Sequence, residues 1–211
     1  VAWQSVPVPA SRFTTAAYPP NFTNYPYSDA ADYAIQAELI LSGNGFTEGF
    51  VDKPLHLTFL ACLNWLAGSD FSKMIMLQKA VLAVIPGLVF LIGLRLYNRP
   101  AGAMAGLLVL FIQMNNLATA PNIQSTNVSM TMSEPWTALS LLFCCLAIIN
   151  WWENPAGSLW LPALAGGAVG LAVLIRLNIM VLIPLVIFIW LFFSGMKKKR
   201  TWISLVIFSL C

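Results

Sequence analysis

Apolar residues run through this chain in long blocks separated by short polar punctuation. From residue 74 onward the blocks lie at 74–94, 101–118, 136–152, 158–175 and 178–194, and a sixth begins at 201. Each complete block approaches the ~20 residues an α-helix needs to cross a bilayer. Residues 1–53 follow another pattern. They hold five of the eight acidic residues (Asp29, Asp32, Glu38, Glu48 and Asp52), interspersed with Pro, Tyr and Asn. This part reads as a long loop with one short helix over about 29–42. Ser28 is its expected N-cap, Asp29 and Asp32 suit its first turn, and Gly43 ends it. Residues 54–67 (PLHLTFLACLNWLA) predict a second helix that starts on a proline. It is short for a span and suits the membrane surface. The predicted fold is all-α: a polytopic transmembrane helical bundle at 74–211, preceded by a loop at 1–73 that carries membrane-surface helices.

Composition agrees with this pattern. The chain has 211 residues, 59% hydrophobic and 9% charged, against about 25% charged in a typical soluble domain. The net charge of +3 is informative through its placement. Basic residues cluster at Arg95 and Arg99 and again at 197–200, where apolar blocks end, which marks cytoplasmic ends of spans. A nucleic-acid partner is excluded, because no basic face with polar or aromatic partners is present. An even number of helices separates the two basic clusters, so both fit one side. The same counting puts Lys73, 119–135 and 176–178 on the other, extracytoplasmic side. The loop 1–53 joins them there if 54–67 does not cross, and would be cytoplasmic if it did. Cys62, Cys144, Cys145 and Cys211 all sit in apolar runs without metal spacing and read as small hydrophobes. The chain opens on Val1, and the run 203–211 is too short for a span. A preceding helix and a further C-terminal part are therefore expected, with activity needing the latter.

Ionisable residues at or within spans are costly and mark functional candidates. They are Asp29, Lys53, Lys79, Arg176 and Glu134. Asp29 and Asp32, three apart, share one helical face; two close carboxylates repel, which can raise one pKa and make a base. Acids in a first turn also simply suit the helix dipole. Lys53 at headgroup depth can hold a phosphate as a point charge or snorkel, and Lys79 stands deeper in its block. Arg176 can grip a phosphate with two N–H groups or anchor the interface. Glu134, between Ser133 and Pro135, fits a helix start or a second acid facing Asp29, placing an acceptor or a metal. His56 reads as a packing residue, the Trp151–Trp152 pair as part of an aromatic belt, and Asn21 and Asn127 as weak glycosylation sequons.

Taken in order, SDAADY at 28–33, DKPL at 52–55, MSEP at 132–135 and GLAVLIRLN at 170–178 resemble the GT-C membrane glycosyltransferases. The nearest group is the bacterial branch related to protein O-mannosyltransferases and to the aminoarabinose transferases of lipid A. The resemblance runs over nearly the whole chain. It implies an acidic residue in the first extracytoplasmic loop at Asp29, with a substrate-binding tyrosine at Tyr33. It also implies a Lys-Pro stretch at Lys53 and an arginine closing a small-residue helix at Arg176. The chain departs from the family pattern at Ala30, Leu55 and His56. A divalent metal is left open, and no other cofactor is implied.

The implied reaction moves a sugar from a polyprenyl-phosphate donor to a hydroxyl of a glycan, lipid or protein acceptor, with inversion. Asp29 would take the hydroxyl proton, while Lys53 and Arg176, with Lys79, would steady the departing phosphate. A bacterial inner membrane is the implied setting. The competing reading is a transporter or flippase for an anionic or lipid-linked substrate, in which buried cations guide the cargo. A purely structural membrane subunit would explain the spans but not the gathering of Asp29, Lys53 and Arg176 on one side.

Overall fold

The computed structural model describes residues 26–46, 51–118, 125–154, 158–194 and 199–211. All of its regular structure is helical: α1 (Asp29–Leu41), α2 (Pro54–Ala67), α3 (Phe71–Leu82), α4 (Ile85–Leu96), α5 (Arg99–Ala118), α6 (Ser133–Glu153), α7 (Trp160–Ile175), α8 (Leu182–Ser194) and α9 (Lys199–Leu210). A 3₁₀ segment, Leu177–Val181, joins α7 to α8.

Three stretches are long and apolar enough to cross a membrane: Phe71–Leu96, Arg99–Ala118 and Ser133–Glu153. On that basis the chain is a membrane protein. Outward-facing apolar side chains agree, among them Leu108, Phe111 and Ile112 on α5 and Phe188 and Phe192 on α8. In water such faces would be an aggregation liability; in lipid they are the natural surface. The α7 and α8 blocks are shorter than expected, because the chain leaves the α-helical conformation at Arg176 and resumes through the 3₁₀ segment.

The block expected at 74–94 is two helices. The chain turns at Ala83 and Val84, and Pro86 sits in the first turn of α4. A proline has no N–H for the ladder and is tolerated where a helix starts. Of the two short helices in the first part, α1 begins at Asp29 as expected, but Ser28 does not cap it through its side chain. Its hydroxyl donates instead to Asp29 Oδ1 at 3.3 Å, and its carbonyl accepts from Ala31 and Asp32. Helix α2 does open on Pro54 and closes on Gly68, whose φ of 64° places it in the left-handed region that glycine adopts at little cost.

Two apolar cores meet on α6. One joins α2, α3 and the first half of α6, around Leu63, Ile75, Leu82 and Trp136. The other joins the second half of α6 to α7, α8 and α9. There Trp151 is buried and stacks on Trp190, with ring centroids 3.9 Å apart, and on Phe208 at 5.5 Å. The expected aromatic-belt role therefore fails for Trp151, while Trp152 beside it is 40% exposed.

Helices α4 and α5 form a tight hairpin at glycines. A Cβ on Gly102 would stand 2.6 Å from the Phe90 carbonyl oxygen, and one on Gly93 would stand 2.7 Å from Gly102 Cα. Small residues let membrane helices approach this closely. Gly102→Val should force the pair apart and cost at least about 2 kcal/mol. Gly87→Ala, where an added Cβ meets nothing within 4 Å, should be neutral or slightly stabilising through helix propensity. Thermal unfolding of the two variants in one detergent checks the contrast.

Candidate functional site

Ionisable groups gather at two opposite ends of α6. At its C-terminal end, Arg95 on α4 pairs with Glu153 at 3.2 Å. At its N-terminal end, Arg176, which closes α7, pairs through Nη1 with Glu134 Oε1 at 3.1 Å. Lys53, just ahead of α2, lies close enough to Arg176 for the two positive charges to oppose one another. Lys53, Arg176 and Glu134 thus come from three separated parts of the chain to one end, and Arg95 marks the other. The basic segment at 197–198 lies outside the described residues.

Lys53 Nζ donates to the Tyr33 hydroxyl and lies 3.6 Å from Asp52. Burial alone would lower the Lys53 pKa; the Tyr33 hydroxyl and the Asp52 carboxylate outweigh it, Arg176 opposes them, and the net direction is upward. The ammonium therefore holds its charge at neutral pH. Arg176 presents a planar fork of five N–H donors. Glu134 engages one nitrogen of that fork, and Glu134 Oε2 is buried without a partner. Glu134, read as a helix start or a second acid facing Asp29, lies in the first turn of α6 and is the direct partner of Arg176.

Asp29 and Asp32 are both exposed. Asp29 stands one helical turn before Tyr33, which places the two on adjoining positions of one face of α1. Lys79 is buried on α3, 3% exposed, rather than snorkelling to the surface. Among the described residues, no three His, Cys, Asp or Glu side chains group so as to hold a metal.

What positions this end of the molecule is a buried loop that sequence reasoning missed. Residues 127–133 are buried although they precede a span. Asn127 donates to the Asn116 carbonyl at 2.7 Å and accepts from Ser129 N at 2.8 Å. It thereby serves an orphan carbonyl of the last turn of α5 and makes an Asx turn. Fully buried, Asn127 is not an accessible glycan acceptor in the folded chain; Asn21 lies outside the described residues. Gln78 on α3 donates from Nε2 to the Val128 and Met130 carbonyls, at 2.9 and 2.7 Å, and its Oε1 accepts from the Trp136 indole at 3.3 Å.

The loop then ties α1 to α2. Thr131 Oγ1 donates to the Ala30 carbonyl at 3.1 Å, and the Thr131 carbonyl lies 3.3 Å from His56 Nε2. A carbonyl only accepts, so His56 carries its proton on Nε2. Its Nδ1 is buried without a partner, and its ring meets Tyr33 edge-on at 5.1 Å. His56, expected to be an interfacial packing residue, is fully buried and bridges the two helices. Burial lowers its pKa to about 4, helped by the Lys53 charge and opposed by the Thr131 carbonyl.

Below Lys53 and Arg176 an apolar groove of about 450 Å³ opens between α2, α6 and α7. Leu55, two residues after Lys53, and Ile175, the neighbour of Arg176, line it together with Trp136 and Phe59. On the other flank of α6, a second groove of about 390 Å³ brings Arg176 together with Thr137 and Asn178. A cationic end above an apolar groove is a chemistry suited to an anionic amphiphile. Comparison with known proteins adds no relative: no protein-family model, no curated protein and no solved structure matches the chain.

Proposed function

We propose that this protein is a polytopic membrane glycosyltransferase that moves a sugar from a polyprenyl-phosphate donor to an acceptor hydroxyl at the extracytoplasmic face. The observation that carries the reading is that Lys53 and Arg176 share one end of α6, close in the chain to Leu55 and Ile175, which line the apolar groove between α2, α6 and α7. A prenyl phosphate has that same division into a dianionic head and a hydrocarbon tail. In the step proposed, the acceptor oxygen attacks the anomeric carbon and its proton passes to Asp29. The bond from that carbon to the phosphate oxygen breaks, and the electron pair leaves with the lipid phosphate. Lys53 and Arg176 meet the growing charge, Tyr33 holds the Lys53 ammonium, and Glu134 holds the Arg176 fork until the donor binds. Preorganised charge in a site poor in water is worth far more than in bulk solvent. The resemblance to the GT-C enzymes supports the same reading and implies a bacterial inner membrane as the setting.

Asp29 is exposed and bonded only to its neighbour Ser28 among the described contacts, so Asp29→Asn should fold normally and lose transfer. Arg176→Ala should lower turnover by about a hundredfold. The assay is release of prenyl phosphate from a panel of prenyl-phosphate sugars in membranes holding the protein. Normal turnover in Asp29→Asn would remove the base assignment. Unaltered kcat and KM in Arg176→Ala would remove the phosphate grip.

A second reading, a transporter or flippase, draws on the broken stretch Phe71–Leu96. Its two helices meet at Ala83–Val84 near mid-length, with Gln78 and Lys79 buried within about a turn and a half of the break. The same assay separates the readings. A flippase moves intact prenyl-phosphate sugar between leaflets without releasing prenyl phosphate.

A further inference from the structure

Where α2 turns into α3, a pocket of about 450 Å³ opens between α1, the end of α2 and the start of α3. Its size is that of a small-molecule site, and the proposed transfer does not use it. Glu38, which lines it from α1, stands nine residues past Asp29. At the usual helical pitch that is half a turn round and about 14 Å further along, so the two acids serve opposite sides of α1. The polar lining is Glu38, Asn64, Asp70 and Ser72, and Ala34 and Phe71 add apolar wall. Asn64 is the informative member. It is only 6% exposed, yet its side-chain amide makes no hydrogen bond among the described residues. Buried amides are as a rule partnered, and one left without a partner is costly. The open space that Asn64 lines is this pocket.

We propose that this pocket is a separate ligand site for a neutral, hydroxyl-rich ring of the sugar kind. The donors and acceptors on its wall select that chemistry. Asp70 is already engaged: Oδ1 accepts from Lys73 N at 3.1 Å, and Oδ2 lies 3.3 Å from Lys73 Nζ. Glu38 is the uncommitted carboxylate, with no side-chain bond or ion pair among the described residues. The Asn64 amide offers two N–H donors and one acceptor oxygen. An anion would meet Glu38 with like charge and has nothing to donate to it. An ammonium suits Glu38 but only donates, so the Asn64 N–H groups would stay unfilled. A hydroxyl both donates and accepts, so the hydroxyls of one ring can donate to Glu38 and accept from Asn64. The C–H face of such a ring then has Ala34 and Phe71 to rest on. The proposal is independent of the donor reading and holds equally for a transporter.

The test is ligand-observed NMR on the full chain in nanodiscs of neutral lipid. The probes are methyl α-glucoside, methyl β-galactoside and cyclohexylammonium, the last matching the ring in size but bringing only donors. At least one glycoside should bind saturably and more tightly than cyclohexylammonium. Asn64→Leu should weaken that glycoside by about tenfold, the effect of one good hydrogen bond. Its melting temperature should hold or rise, because carbon replaces a buried amide that had no partner; an Asn64 that served the fold would lower it instead. Glu38→Gln, at an exposed position, should weaken the same glycoside severalfold, and it carries the test if Asn64→Leu does not fold. Geranyl phosphate should not displace the glycoside. Saturable binding of neither glycoside, tighter binding of cyclohexylammonium, or unchanged glycoside affinity in the folded variants overturns the inference. Displacement by geranyl phosphate does so too, since it would put the sugar in the transfer site. The donor reading is decided by release of prenyl phosphate and stands or falls separately.

Discussion

Gln78→Leu is expected to destabilise the protein by about 4 kcal/mol, a larger effect than removal of any surface ion pair. The side chain is fully buried on α3 and serves three backbone or side-chain groups at once. Leucine keeps most of the volume, so the loss is one of hydrogen bonding rather than of packing. It takes the Gln78 donors from the buried Val128 and Met130 carbonyls and the Gln78 acceptor from the Trp136 indole N–H. Each such group carries a desolvation cost of about 1–3 kcal/mol, and a lipid surround offers no replacement donor. The loop 125–132 would lose its hold on α3, and with it the register of α6 behind Trp136. Thr58→Ala removes an exposed hydroxyl bonded only to the Pro54 carbonyl and should change little. Thermal unfolding of both variants in nanodiscs checks the pair, and an unchanged midpoint in Gln78→Leu would mean that the loop is held by packing alone.

That prediction also marks the limit of what the sequence made legible. Long apolar blocks reported the helices at 99–118 and 133–153 directly, because lipid-facing and core-facing residues alike must be apolar, and length then sets the span. Pro54 and Gly68 bounded α2 for local steric reasons. The break at Ala83–Val84 had a local signal too, Pro86, but within an unbroken apolar run it did not stand out from the tolerated prolines of spans. The polar clamp had none. Gln78 and the carbonyls it holds are about fifty positions apart in the chain, and a lone glutamine in an apolar helix carries no mark of its partners. Arg176 and Lys53 were identifiable as costly charges near membrane boundaries. Their meeting, and the choice of Glu134 as the partner of Arg176, depend on how α2, α6 and α7 pack, which no local pattern encodes. His56 read as a packing residue because a single histidine makes no metal site; its bridge to Thr131 appears only once the loop before α6 is folded inward.

Acid should loosen that same bridge, and His56 sets the pH at which it does. In the unfolded chain the imidazole titrates near 6.5; in the folded protein burial holds it at about 4. Above pH 6.5 both states are neutral and the full stability is present. Between 6.5 and 4 the unfolded chain takes up a proton that the folded one refuses, so stability falls as pH falls, by about 1.4 kcal/mol per unit. Below about 4 the folded state protonates as well and the loss levels off near 3 kcal/mol. The physical cause lies in the surroundings of the ring. Nε2–H is already used on the Thr131 carbonyl, Nδ1 faces no acceptor, Tyr33 presents its edge, and the Lys53 ammonium adds a like charge. His56→Gln keeps an amide N–H within reach of the Thr131 carbonyl and removes the titration. Its melting temperature should therefore track that of the unaltered protein near pH 7.5 and exceed it progressively below pH 6. All other groups are common to both proteins, so the difference between the two curves isolates the histidine. Parallel curves from pH 7.5 to 4.5 would show that His56 reaches water in the folded protein. In that case the inward-folded loop, and the fixed placement of α1 and Asp29 against α2, would open at little cost.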